Sequence, residues 1–167
     1  QGFKTVRSFV SQEVFDQFVT ISTTSADPVS AFMEISKLFK STMKIDHQKF
    51  VNWIKSLPYH YETEQQIFVH AGIDEEAEEF WKYGTSSEYF ISKYPATTGA
   101  FYKDIIAGHV GTSSLKKQRE YHDVFWDGQS HYFLDGSTAE SGVLPLLRYD
   151  TETGEYRQYK NGRFEKI

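Results

Sequence analysis

Several features are missing from this sequence of 167 residues, and each absence excludes a class of protein. It contains no cysteine, which excludes a disulfide framework and a metal site built from thiolates. No apolar run approaches the roughly 20 residues that span a bilayer. The net charge is −5, so there is no positive excess to attract a nucleic acid. These absences predict a cytoplasmic protein that binds neither nucleic acid nor membrane.

The residues that are present indicate a folded protein with an aromatic core. The chain contains 14 Phe, 11 Tyr and 3 Trp, with 39% hydrophobic and 25% charged residues overall. This composition is typical of a globular domain. No repeat and no low-complexity linker divides the chain, so residues 1–167 are predicted to form a single domain.

Three segments in the first third of the chain have the apolar spacing of helices. The first covers residues 11–21, with Ser11 as its N-cap. The second begins at Asp27-Pro28 and ends near Lys40. The third begins at Asp46 and ends before Pro58, with an apolar stripe of Phe50, Trp53, Ile54 and Leu57. Such stripes predict buried core rather than a cofactor pocket.

Strand patterns dominate the remainder of the chain. Residues 66–69 form a short apolar run, and from residue 103 onward the pattern is mostly that of strands. A hairpin is predicted around residues 127–130, and Asn161-Gly162 is typical of a type I′ turn. Helices first and strands last predict an α+β fold.

Between these strands lie an acidic run and an irregular stretch. The acidic run, residues 74–79, could be a site for a hard cation, but the first turn of a solvated helix is favoured because carboxylates suit the positive end of the helix dipole. Residues 81–99 mix Ser, Thr, Gly and Pro with aromatic residues, which predicts a long loop.

Two of the apolar runs end in a histidine beside small residues. His70 follows Ile67-Phe68-Val69, and His109 follows Ile105-Ile106-Ala107-Gly108. Ligands gather at the carboxyl ends of strands, and neutral imidazole is the commonest metal ligand among side chains. The pair therefore predicts half of a metal site. The alternative is that each histidine is structural and hydrogen-bonds to the backbone.

Three short sequence motifs, two of which contain these histidines, resemble a known family. Residues 68–73, 106–109 and 131–137 are similar to the C-terminal half of the calcineurin-like metallophosphoesterases, in the branch of bacterial serine/threonine protein phosphatases. Residues 2–8 are similar to a segment that follows the family's third metal-binding motif. The resemblance implies the C-terminal part of a four-layer αββα sandwich, with helices first and antiparallel strands last.

The resemblance also implies a chemistry. It identifies His70 and His109 as metal ligands in a centre of two divalent ions, with manganese expected and iron or zinc as alternatives. The expected activity is hydrolysis of phosphomonoesters, with a phosphoprotein as substrate. Hydrolysis of a dinucleoside polyphosphate or another small phosphate ester is an alternative. A binding module that has kept the fold without catalysis is another.

Other parts of the family pattern are missing from these residues. The chain contains no Gly-Asp-x-His, no Gly-Asp-x-x-Asp-Arg-Gly and no Gly-Asn-His-Asp/Glu, the motifs that carry the remaining ligands and the catalytic histidine. The chain is therefore expected to be the C-terminal portion of an enzyme, to contain no catalytic residue, and to be inactive and prone to self-association alone.

The family's phosphate-holding arginine has no counterpart between His70 and His109. Lys93 is the nearest cation in that interval and is the candidate for binding substrate phosphate, although a lysine lacks the bidentate geometry of an arginine. The alternative interpretation of Lys93 is a solvated surface residue.

Overall fold

The computed structural model describes residues 4–167, so Gly2 and Phe3, which open the phrase at residues 2–8, lie outside the described residues. The chain forms two compact units, one ending at Leu57 and the other running from Pro58 to Ile167. Each unit has its own architecture, and a single domain across residues 1–167 stays a prediction.

The first unit is helical, and two of its helices begin where the sequence places their caps. The helix predicted to begin at Asp46 begins at Gln48 instead, because Asp46 is the last residue of the preceding helix. The Ser11 hydroxyl accepts a hydrogen bond from the Val14 N–H at 3.3 Å, and the Asp27 carboxylate accepts one from the Ser30 N–H at 3.0 Å. The predicted helix starts at Ser11 and at Asp27 are therefore confirmed. The helix that follows Asp27 continues beyond its predicted end near Lys40, to Asp46. The four helices are α1 (Lys4–Arg7), α2 (Gln12–Thr24), α3 (Pro28–Asp46) and α4 (Gln48–Ser56).

The predicted burial of the α4 stripe is wrong. Trp53 is 56% exposed, Ile54 is 47% exposed and Leu57 is 45% exposed. Phe50 stacks on Phe9 with ring centroids 5.3 Å apart, so the stripe begins in a small aromatic cluster and then opens to solvent. Periodicity identifies the apolar face of a helix, but it does not identify what covers that face.

A mixed five-stranded sheet is the foundation of the second unit. Its strands are β1 (His60–Glu62), β2 (Gln66–Val69), β3 (Asp104–Ala107), β4 (Phe125–Trp126) and β5 (His131–Phe133), in the spatial order β1-β2-β3-β5-β4. β2, β3 and β5 are parallel, and the two outer strands are antiparallel to their neighbours. The expectation of antiparallel strands is therefore wrong for the centre of this sheet. The segment from 70 to 103 is long enough for the crossover that parallel neighbours require.

Short helices fill that crossover, which corrects the predicted long loop. A 3₁₀ helix (Glu75–Phe80) is followed by α5 (Trp81–Gly84) and α6 (Ser87–Ser92). Helices this short give too few turns for a periodic signal in the sequence. The acidic run does begin a helical segment, as favoured above, although Glu78 breaks it with a φ of 46°. Two further short helices, α7 (Thr112–Lys116) and α8 (Thr138–Ser141), follow β3 and β5.

A second, antiparallel sheet ends the chain. It consists of β6 (Leu147–Tyr149), β7 (Tyr156–Lys160) and β8 (Arg163–Lys166) in that order. Asn161 and Gly162 have φ angles of 51° and 80°, which confirms the predicted type I′ turn between β7 and β8.

The core of the second unit lies on both faces of the mixed sheet. Ile105 packs with Trp81 and Phe90 from the helical crossover, whereas the next residue, Ile106, packs with Tyr156 from the second sheet. Consecutive strand residues point to opposite faces. The unit is therefore layered as helical segment, mixed sheet and antiparallel sheet, which confirms the α+β class. None of the helices between residues 4 and 167 combines the length and apolarity needed to cross a bilayer.

Candidate metal site at the strand ends

The register of β2 and β3 places two histidines at one edge of the mixed sheet. Ile67 lies opposite Ile105 in this parallel pair, and their side chains are 0% and 1% exposed. Because the strands are parallel, both of their carboxyl ends reach the same edge. His70 directly follows β2 and His109 lies two residues beyond β3. Buried isoleucines thus anchor the strands that position these two side chains.

The His70 and His109 rings lie close together. Their centroids are 5.2 Å apart with an angle of 58° between the ring planes, and both side chains are exposed. The Gly108 N–H donates to the His70 carbonyl at 2.8 Å, which ties the two strand exits together. The structure thus brings together the two residues that the sequence selects as metal ligands.

His109 sits in a tight turn with an unusual backbone. Its φ is 64°, and the Val110 N–H donates to the Gly108 carbonyl across it at 2.7 Å. A residue other than glycine in this region stores backbone strain of about 1–3 kcal/mol, and such strain clusters at functional sites. The turn directs the His109 ring toward His70 rather than continuing the line of β3.

The distance between the two rings is compatible with a shared metal site. Imidazole nitrogens bind Zn²⁺ at about 2.0–2.1 Å, and ring centroids 5.2 Å apart are close enough to share one ion or two adjacent ions. Between residues 4 and 167, however, no three His, Asp or Glu side chains gather into a group that could hold a metal ion. His70 and His109 are thus two donors without a carboxylate beside them in the described chain.

Lys93 is buried, which makes its interpretation as a solvated surface residue wrong. Its side chain is 8% exposed, and its ammonium group donates to the Ile73 carbonyl at 2.5 Å and forms an ion pair with Glu75. A Cβ atom at Gly72 would lie 2.6 Å from the Lys93 Cδ, so the glycine makes room for the lysine stem. Contact between Lys93 and a substrate phosphate would require this ion pair to open.

Glu75 connects Lys93 to a histidine outside the predicted metal pair, His131. His131 is 2% exposed, and its Nε2 lies 3.5 Å from the Glu75 Oε1. Its Nδ1 lies 3.0 Å from the Gly99 carbonyl and 3.2 Å from the Asp127 carboxylate. A chain of polar contacts therefore runs through the interior from Lys93 through Glu75 and His131 to Asp127. The acidic run at residues 74–79 gives a sequence signal for Glu75, but nothing local distinguishes it from its solvated neighbours.

Hydrogen bonding sets the charge of both carboxylates in this chain. Burial alone would raise the pKa of Glu75, but its contact with His131 and its hydrogen bond from Lys93 outweigh burial and lower that pKa. Burial would also raise the pKa of Asp127, and backbone N–H donors led by Gly99 lower it instead. Both groups are therefore held as carboxylates.

A polar cavity of about 440 Å³ adjoins the loop after His109. Ser113 and Ser137 line it, and their hydroxyl oxygens lie 3.8 and 3.4 Å from where a Cβ at Gly111 would stand. Arg119 and His122 also line the cavity. Arg119 lies after His109, outside the interval between the two histidines.

Comparison with family models, with curated proteins and with solved structures finds no match to this chain.

Proposed function

We propose that this chain contributes His70 and His109 to the divalent metal centre of a phosphoesterase that acts on phosphomonoesters, most consistent with a serine/threonine protein phosphatase. One observation carries the proposal: the two rings lie 5.2 Å apart at the exits of adjacent parallel strands. The resemblance of residues 68–73, 106–109 and 131–137 to bacterial phosphatases supports the same chemistry.

In this proposal the metal ions, the two histidines and the rest of the enzyme have separate roles. Two divalent ions, when bound, would neutralise phosphoryl oxygens and activate water for attack on the ester. His70 and His109 would hold the ions without adding charge, while their exposure leaves room for a phosphate. Bridging carboxylates and a group that protonates the leaving oxygen would come from residues outside these 167. In this proposal the chain is the C-terminal portion of the enzyme, and the layers described above correspond to part of an αββα sandwich.

Metal binding at the pair can be tested by NMR on this chain. Adding Mn²⁺ should broaden the imidazole signals of His70 and His109 first, because paramagnetic relaxation falls steeply with distance. His47 is the control in the same spectrum, since its Nε2 is engaged by the Phe9 carbonyl at 2.8 Å. His70→Ala should reduce broadening at His109, and His109→Ala should reduce it at His70. Equal broadening of all histidines would contradict a shared site.

The reaction is tested on the natural protein that contains this chain. Manganese-dependent turnover of p-nitrophenyl phosphate and of a phosphoserine peptide should be lost in both histidine variants. A dinucleoside polyphosphate assayed in parallel distinguishes the alternative substrate class. Turnover that survives both substitutions would refute the proposal, and metal binding without turnover of any ester would favour the binding module.

A further inference from the structure

An apolar groove lies between α3 and α4 of the first unit. Its floor is formed by the half-buried side chains of Phe39, Met43 and Val51, and its volume is about 480 Å³. Three lysines line its rim: Lys40, Lys44 and Lys55. We call this surface the lysine groove.

The lysines of the groove carry uncompensated charge. In the described part of the chain, none of the three forms an ion pair, and no carboxylate lines the groove. Residues 34–55 contain five lysines and only two acidic residues, in a chain whose net charge is −5. The groove is therefore a positive, apolar site on an otherwise acidic protein, which favours a ligand that combines carboxylates with apolar side chains.

The second unit presents a segment with that chemistry. Glu76, Glu78 and Glu79 are exposed, and they are followed by Phe80 and Tyr83, which are 70% and 90% exposed. We call residues 76–83 the acidic aromatic segment. Aromatic side chains are enriched at protein interfaces, where they fill pockets of the partner. The one cation within it, Lys82, is already paired with Glu62, so the segment keeps its negative charge.

We propose that the lysine groove binds the acidic aromatic segment of a second copy of this chain. Phe80 and Tyr83 would enter the groove over Phe39, Met43 and Val51, and the neighbouring glutamates would pair with the rim lysines. A concave groove fits a projecting segment better than it fits a flat membrane surface. Because every copy carries both surfaces, association either closes as a two-fold dimer or continues as a chain of copies.

Charge reversal tests this contact by sedimentation velocity over a concentration series of the 167-residue chain. Wild type should self-associate, and raising the salt concentration should weaken the association because exposed charges are screened. Lys40→Glu/Lys44→Glu should weaken it by about tenfold or more, and so should Glu76→Lys/Glu79→Lys. An equimolar mixture of the two reversed variants should recover association, since opposite charges again face each other across one contact.

Matched controls separate this contact from general charge effects and from misfolding. The control residues are Lys49, which lies on α4 outside the groove, and Glu88, which lies on α6 outside the segment. The variants Lys49→Glu and Glu88→Lys should both associate like wild type. Phe80→Ala should weaken association while leaving the urea midpoint of the monomer unchanged, because Phe80 is 70% exposed. A wild type that is monomeric at all concentrations would overturn the proposal. So would association that ignores both reversals, or a mixture that fails to recover.

Discussion

Lys93 and Glu75 form an ion pair inside the second unit, with Lys93 8% exposed and its stem against Gly72. The pair lies directly after the His70-Ala71-Gly72 loop, and the Lys93 ammonium also donates to the Ile73 carbonyl. Lys93 thus fixes the backbone that directly follows the His70-Ala71-Gly72 loop.

Breaking this pair should be costly, whereas removing both charges should not. Lys93→Met leaves the half-buried Glu75 without its cation, and we expect a loss of up to about 3 kcal/mol in the free energy of unfolding. The double variant Lys93→Met/Glu75→Gln should recover much of that loss. Urea denaturation of the two single variants and the double variant measures the coupling. Additive losses would show that the two groups do not interact.

Acid should weaken the same pair. The pKa of Glu75 is lowered from its ordinary value of 4.5 because its contact with His131 and its hydrogen bond from Lys93 outweigh burial. A depressed pKa in the folded state means that the carboxylate contributes stability above the unfolded pKa, and that this contribution is lost as pH falls through the folded pKa. The difference in unfolding free energy between wild type and Glu75→Gln should therefore shrink below pH 4.5. A difference that stays constant down to acid pH would argue against a charged Glu75.

The turn at His109 predicts an order of stability between two substitutions. Both His109→Ala and His109→Gly remove the imidazole, but only glycine adopts a φ of 64° without strain. His109→Gly should be more stable than His109→Ala by about 1 kcal/mol, while both lose the Mn²⁺-dependent broadening at His70. Thermal unfolding gives the order. A more stable alanine variant would indicate that the turn relaxes when the ring is removed.

Because Trp53 is exposed, removing its indole side chain should have a modest effect on the free energy of unfolding. Because Trp53 is 56% exposed, Trp53→Ala should cost less than about 2 kcal/mol rather than the roughly 3–5 kcal/mol of a buried aromatic residue. Phe18→Ala in α2 is the matched control, since Phe18 is 1% exposed and should show the full cost. Denaturant midpoints of the two variants should differ clearly. Equal losses would place Trp53 in a core.

The 167-residue chain alone should not hydrolyse phosphate esters at a useful rate. Two neutral imidazoles supply neither a bridge nor negative charge for two divalent ions, so metal affinity should be weak. The measurement is p-nitrophenyl phosphate turnover with added manganese. Manganese-dependent turnover that His109→Ala abolishes would show that this chain holds its metals without further carboxylates.

Local signals in the sequence predict the individual elements well. The caps at Ser11 and Asp27, the strand Gln66–Val69 and the Asn161-Gly162 turn are all present, because each depends on residues within a few positions. The two strand ends also predict that His70 and His109 lie close together, which their spacing in the sequence does not.

Features that depend on distant residues were not predicted. Whether the Trp53 face is covered, and whether Lys93 is solvated, depends on what packs against each side chain. The Glu75–His131 contact joins residues 56 positions apart, so no local pattern reveals it. The parallel centre of the mixed sheet likewise results from long crossovers, which a list of strands does not specify.

The parallel strands also set when the histidine pair can form during folding. Ile67 pairs with Ile105, and Ile105 pairs with His131. Each pairing closes a long loop, and the chain entropy lost in closing it precedes the stabilising hydrogen bonds between the strands. Helices such as α2 and α3 depend on local contacts and can form on a submicrosecond timescale, well before such a sheet. Bringing His70 beside His109 is therefore a late event. A nascent or partly folded chain would sample its local helices before its two imidazoles become neighbours.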